Sequence, residues 1–294
     1  LGAPTGILPD GRFSYARDPN AAPGSSNPTR WNANPSFGQQ TILLTNTDKG
    51  ESDTLTFSLT KPFANDWTAM VAYTLRPSTA LNPGTSSVAN SSFNNRAWIN
   101  PNDDYVATSN YEIPQRLIMS ATWEHAFFGD YKTQVSAFYD GHSGAPYSWV
   151  YRNDANGDSY SRDLAYIPLN RNDVQFTTGT SQAAIDSFFS YLQNDKNLIR
   201  KGGQIFERND ARAGWVNQLD LTLAQELPGF MEGHKASIRL DIFNFLNLLN
   251  KDWGVEQRAD FPLTRNLADF AGVDPATGKY IYNISPYLVN GQYA

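Results

Sequence analysis

The stretch "NDANGDSYSRDLAYIP", residues 153–168, puts oxygen-bearing side chains at alternate positions: Asp154, Asn156 and Asp158, with Asp163 following. Oxygen ligands at the first, third and fifth places are how a calcium loop begins, because a hard cation gathers its shell from carboxylate and amide oxygens. The match covers only the first half of such a loop. Gly157 stands where the fourth residue falls instead of at the sixth, and Ala165 occupies the place of the closing glutamate. An Asx-rich turn leading into "LAYIP" uses the same residues without metal, and both readings stay open. Calcium is the one cofactor these residues suggest; otherwise none is expected.

Other chemistry is sparse. His125, His142 and His234 lie far apart and none belongs to a HExxH pair. There is no GxSxG and no glycine-rich phosphate loop, and the absence of cysteine removes thiol catalysis and thiolate metal sites. Adjacent carboxylates such as Asp103 and Asp104 occur in any acidic chain, so no enzyme is expected; hydrolysis of a glycoside between two carboxylates is the only version worth testing. In the loop that starts "PSTALNPGTSSVANSSFNNRAWINPNDDY", Trp98, Tyr105 and Tyr111 stand beside Asn and Asp as stacking platforms for a sugar or peptide. The plainer view makes this a solvated surface loop.

The elements that would position these residues are strands. Six segments alternate with period two, at about 54–60, 67–76, 116–127, 131–142, 215–227 and 235–245. In "TLTFSLTK" Leu55, Phe57 and Leu59 face one way and Thr56, Ser58 and Thr60 the other; in "WVNQLDLTLAQEL" Leu219, Leu221 and Leu223 oppose Gln218, Asp220 and Thr222. Residues 239–253, "RLDIFNFLNLLNKDW", also fit a helical period; the strand is favoured to Phe245, with "NLLNKDWG" as its Asn-rich exit. Residues 181–195, "SQAAIDSFFSYLQND", fit one short loop helix with Ser181 as its N-cap, its apolar face against the mouth of the sheet. "RKGGQIFERNDARAGW" supplies Arg200, Lys201, Arg208 and Arg212 among Glu207 and Asp210, read as a solvated, mutually paired surface.

Loop lengths carry the fold argument. "PFAND", "FGD" and "PGFMEGH" are tight turns, whereas 76–116, 141–215 and the residues after 245 are long connections, and the two kinds alternate strictly. An outer-membrane up-and-down barrel has tight turns on its inner side and long loops outside. Phe63, Trp67, Phe127, Phe128, Tyr131 and Phe230 cluster near the tight turns, where an interfacial girdle belongs. The expected fold class is therefore all-β: an antiparallel up-and-down transmembrane β-barrel, partial, with long extracellular loops. A net charge of -6 argues against nucleic acid, and no apolar run approaches the roughly 18 residues of a membrane helix.

"ILLTNTDKGESDTLTFSLTKPFANDW", "LNPGTSSVANSSFNNRAWINPNDD", "YEIPQRLIMSATWEHAFFGDYKTQVSAFYDGHSGAPYSW", "NDANGDSYSRDLAYIP" and "RLDIFNFLNLLNKDWG" resemble the C-terminal part of a TonB-dependent outer-membrane receptor of the Oar-like, carboxypeptidase-regulatory-domain-containing group. The resemblance implies a barrel of about twenty-two strands, plugged by an N-terminal domain. It also implies a place in the outer membrane of a Gram-negative cell. The implied partners are outer-membrane lipid, the TonB complex through an N-terminal part absent here, and an extracellular substrate whose identity is not legible. Plug and final strand are absent from these residues. The competing expectation is a secreted, soluble β-rich module that binds carbohydrate or serves in adhesion.

Six strands fall short of the minimum of about eight for a closed membrane barrel, so the chain is expected to be part of a longer protein. Mass spectrometry of the intact polypeptide should give a mass well above 32.7 kDa; a protein of that mass that folds alone would contradict the expectation.

Overall fold

The computed structural model describes residues 1–37, 41–231 and 233–294. Its main strands are β1 (Leu55–Ala64), β2 (Trp67–Leu75), β3 (Gln115–Phe128), β4 (Tyr131–His142), β5 (Pro146–Tyr151), β6 (Val174–Phe176), β7 (Ala211–Arg212), β8 (Val216–Pro228), β9 (Lys235–Ile242), β10 (Thr264–Asp274) and β11 (Lys279–Asn283). One helix of several turns, α1, spans Gln182–Asn194.

The period-two segments form one six-stranded antiparallel sheet in the order β9-β8-β4-β3-β2-β1. Sequential neighbours pair because their turns are short. Asn65 and Asp66 both take positive φ, 55° and 68°, as a two-residue type I′ connection requires. At the next turn Gly129 supplies the positive φ. The third turn, 229–234, includes Glu232, which lies outside the described residues. Pro62, which cannot donate to a ladder, sits where the register slips between Lys61 and Ala64. The sheet does not close: β1 and β9 each have a free edge among the described residues.

The long connections depart from expectation. They do not run as solvated loops but fold into a head with its own five-stranded mixed sheet, in the order β6-β11-β10-β5-β7. Two of its strands, β10 and β11, come from the region after 245 that the sequence suggested was a loop. Trp149, Tyr151, Phe188, Phe206, Phe270 and Tyr282 are fully buried in it, and α1 lays Ala184, Phe188, Phe189 and Leu192 into the same core. The Ser181 hydroxyl caps α1 by accepting from the Ala184 amide at 3.2 Å. The helix thus packs on the head sheet, not on the rim of the six-stranded sheet.

Residues 239–253 satisfy both of their periods in turn. β9 stops at Ile242, Asn244 takes a left-handed φ of 52°, and Phe245–Leu249 makes a short helix. The strand ends three residues earlier than expected because Asn244 leaves the ladder, its amide donating to Asp220 Oδ1 at 2.7 Å.

Phe188 meets the rings of Tyr293, Phe189 and Phe176 at 5.0, 5.3 and 5.7 Å. Phe188→Ala should destabilise the head by about 3–5 kcal/mol while leaving the six-stranded sheet paired. Near-UV dichroism and amide exchange, followed separately for head and sheet, check this.

Candidate functional site

The six-stranded sheet has two chemically distinct faces, and the register aligns each across every strand. Trp67, Trp123, Val135, Leu223 and Leu240 lie side by side in one row, and Leu59, Val71, Met119, Tyr139 and Leu219 in another. This face is uncovered: Leu59 is 77% exposed and Ile238 65%. The opposite face carries rows such as Thr68, Thr122, Ser136, Thr222 and Asp241. Its side chains bond one another across strands. Thr122 and Ser136 hydroxyls are 3.0 Å apart, Thr222 donates to Asp241 at 2.7 Å, and Arg116 grips Asp140 through two hydrogen bonds at 2.9 and 2.6 Å.

Aromatic side chains concentrate on the apolar face near the tight turns. Trp123, His125 and Phe127 follow one another there, with His125 Nδ1 2.9 Å from Asp66. Lys61 lies on the same face; its ammonium sits 3.9 Å from the centre of the Trp67 ring and donates to the carbonyls of Ala64 and Trp67. A cation bent toward the chain end, with its stem along apolar surface, is how lysine reaches an interface.

In the head, the three aromatic candidates separate. Trp98 is 2% exposed, its ring 5.4 Å from Phe93 and 5.3 Å from Tyr160, so neither face is free to stack on a ligand and its role is packing. Tyr105 is half-buried beneath the Arg208 guanidinium, and Tyr111 is exposed. None of the three lines either of two clefts in the head. One, of about 1120 Å³, runs past Thr47, Lys49, Phe93, Arg96 and Asp104. The other, of about 670 Å³, is walled by Tyr147, Trp149, Tyr191, Arg265 and Tyr287, with Arg265 over the Trp149 ring at 5.1 Å. No local motif announces this second wall, whose residues come from segments far apart in the chain.

The basic segment, expected as a solvated and mutually paired surface, is one only in part. Arg200 and Lys201 do pair with Asp210, and Lys201 with Glu207. Arg208, in contrast, is 3% exposed and donates to the carbonyls of Ala80, Leu81 and Tyr105. Burial, reinforced by Arg96, lowers its pKa to about 10. Arg212 is tied to Glu112.

Asp154, Asn156, Asp158 and Asp163 are brought together. Asp154 accepts from the amides of Gly157 at 2.6 Å and Ser159 at 2.8 Å; Asp158 accepts from Tyr160 at 2.8 Å; Asp163 accepts from Ala155 at 2.7 Å. Asn156, Asp158 and Asp163 have no exposed surface. Burial raises the pKa of Asp154 to about 6 and that of Asp158 to about 8, the latter helped by repulsion from Asp154, and it raises Asp163 well above the carboxylate range. The neighbouring Arg12, fully buried and bonded to Asp10 and the Leu164 carbonyl, comes from 151 residues upstream of Asp163 and gave no warning in sequence. Among the described residues no three acidic, His or Cys side chains already converge as a ready-made metal cluster.

The family model described as "Outer membrane beta barrel domain" matches residues 11–252. No curated protein and no solved structure matches the chain.

If Trp98 serves packing, Trp98→Ala should cost about 3–5 kcal/mol of head stability. Tyr111→Ala, at a free surface, should stay within about 0.5 kcal/mol of the parent. Thermal melts of the two variants make the comparison.

Proposed function

We propose, from the premise that this chain belongs to the outer membrane β-barrel domain family and resides in the cell outer membrane, that the six-stranded sheet is part of the wall of a receptor that takes up a bulky substrate. The observation that carries this reading is the uncovered apolar face kept in register across all the strands. In water so large an apolar patch would be a liability; in lipid it is the solvent-matched side. The polar face then borders the interior of the barrel and the head forms the outer vestibule. The free edges of β1 and β9 must be paired with further strands, since unpaired backbone groups in hydrocarbon cost several kcal/mol each.

The finer assignment is energised uptake through contact with TonB. It is supported by the stretches that resemble Oar-like receptors, among them "ILLTNTDKGESDTLTFSLTKPFANDW" and "RLDIFNFLNLLNKDWG". Substrate would meet the head first. The cleft walled in part by Tyr191, Tyr287 and Arg265 offers it two half-buried rings and an exposed cation.

Two substitutions in the intact protein test the wall. Leu221→Arg puts a charge into the lipid face and should cost about 2–4 kcal/mol near the midplane, enough to block outer-membrane assembly. Gln218→Arg places the same charge on the polar face, where its register partner is Asp140, and should assemble normally. If both variants fold and stay in solution without detergent, the wall reading fails. Site-specific crosslinking of the assembled protein to TonB tests the energised step separately. An assembled wall that never crosslinks removes TonB-driven uptake and keeps the membrane assignment.

A further inference from the structure

The loop that carries Asp154, Asn156, Asp158 and Asp163 is also where three distant segments meet. Tyr15 and Arg30 of the N-terminal segment donate their amides to the carbonyls of Asn156 and Gly157 at 2.6 and 2.8 Å, and Thr29 and Ser159 hydroxyls meet at 2.7 Å. A Cβ on Gly157 would lie 2.4 Å from the Ala16 nitrogen, so the two chains touch there at backbone distance, and Gly157 holds a φ of 77° that suits glycine. From the other side Trp98 exchanges backbone bonds with Arg162 and Leu164, and Asn156 reaches the Ile99 carbonyl.

At this junction charge is out of balance. Asp10, Asp158 and Asp163 share one cation, Arg12, which is already bonded to Asp10, and Asp154 adds its charge beside Asp158 and Asp163. Arg12 comes no closer than 3.9 Å to Asp163. Two carboxylate oxygens, Asp158 Oδ2 and Asp163 Oδ1, are buried and receive no hydrogen bond among the described residues. Both belong to residues with no exposed surface. A buried carboxylate oxygen with no donor is costly unless a proton or a cation reaches it. The other oxygens of the two side chains, bonded to Tyr160 and Ala155, and those of Asp154, on Gly157 and Ser159, hold the loop in shape; Asp163 Oδ1 is left with only the distant Arg12 Nη1, at 3.9 Å, and Asp158 Oδ2 with no donor among the described residues.

We propose that Asp158 and Asp163, with Asn156 and Asp154 of the same loop, bind one calcium ion that fastens the N-terminal segment and the loop around Trp98 to the head. The donor set is entirely oxygen, which suits a hard cation and not zinc or copper. Three carboxylates in their present positions do not complete a shell of six to eight oxygens, so the shell is mixed: carboxylates supply the charge, and the Asn156 amide and backbone carbonyls supply the remaining oxygens. Six to eight oxygens can be collected this way only in a flexible, calcium-like geometry; the tight octahedron of magnesium is disfavoured.

Terbium, which takes calcium's ligands and is lit by nearby indole and phenol rings, gives the direct test, since Trp98 and Tyr160 pack together beside the loop. The protein purified in detergent and stripped with chelator should show saturable terbium emission excited through these rings, displaced by calcium and poorly by magnesium. Asp158→Asn and Asp163→Asn should each weaken it about tenfold or more, while Asp173→Asn, outside the cluster, leaves it unchanged. Melting guards against a merely structural reading. In chelator the two cluster variants should be at least as stable as the parent, because a repelling charge is gone; in calcium the parent alone should gain. Absence of calcium-displaceable emission from the parent overturns the proposal. So does emission that persists undiminished in both cluster variants, or a loss of stability in both when calcium is absent.

Discussion

A strand in hydrocarbon must find a partner for every backbone N–H and C=O, and it must turn its apolar side chains outward. The rest of this structure follows from that inversion. Because Leu59, Val71, Leu223 and Leu240 are committed to the outside of the sheet, they cannot also form a core. The polar face is no substitute: its threonines, serines and Arg116–Asp140 pair are held by cross-strand hydrogen bonds. The dry core of the protein therefore lies beyond the sheet, in the head, where Trp149, Tyr151, Phe188, Phe270 and Tyr282 close on one another.

The head is stitched by polar side chains, several of them buried, as much as by rings. Arg208 gathers the carbonyls of Ala80, Leu81 and Tyr105, and Asn209 bonds Ser148, Thr108 and Asn110. Arg152 and Asp269 join β5's exit to β10 through two hydrogen bonds, at 2.9 and 2.5 Å. All of these but the bond between Asn209 and Ser148, which are 61 positions apart, link residues about a hundred or more positions apart in the chain, so the head's topology rests on contacts that no short window contains.

What could be read in the sequence divides along the same line. Period two is a local property, and the six segments at 54–60 through 235–245 correspond to β1, β2, β3, β4, β8 and β9 within a few residues. Ser181 announced the cap of α1. Head strands were harder. β5 is buried at every residue, so its alternation carries no polar mark, and β10 buries a run from Leu267 to Phe270. A cue for β10 and β11 did exist in "VDPATGKYIYN", a turn-rich stretch running into alternating tyrosines. Among the candidate residues, Asp154, Asn156, Asp158 and Asp163 assemble because they are close in sequence. A tryptophan in an Asn- and Ser-rich loop reads as exposed, whereas Trp98 is buried among Phe93, Arg96 and Tyr160, residues whose approach no local pattern signals.

Sheet and head are joined with little slack. Only residues 143–145 separate β4 from β5, and only 213–215 separate β7 from β8. These two short links press together, so that a Cβ on Gly144 would sit 2.3 Å from the Gly214 carbonyl. Mechanically this is a welded bracket, with no hinge in it. A force applied to the head is delivered straight into the hydrogen-bonded ladder between β4 and β8, and the head cannot tilt as a lid without shearing that ladder. Compliance has to come from connections whose backbone is not paired, such as 255–259, so the head is braced on the side of β4 and β8 and less tightly tied on the other.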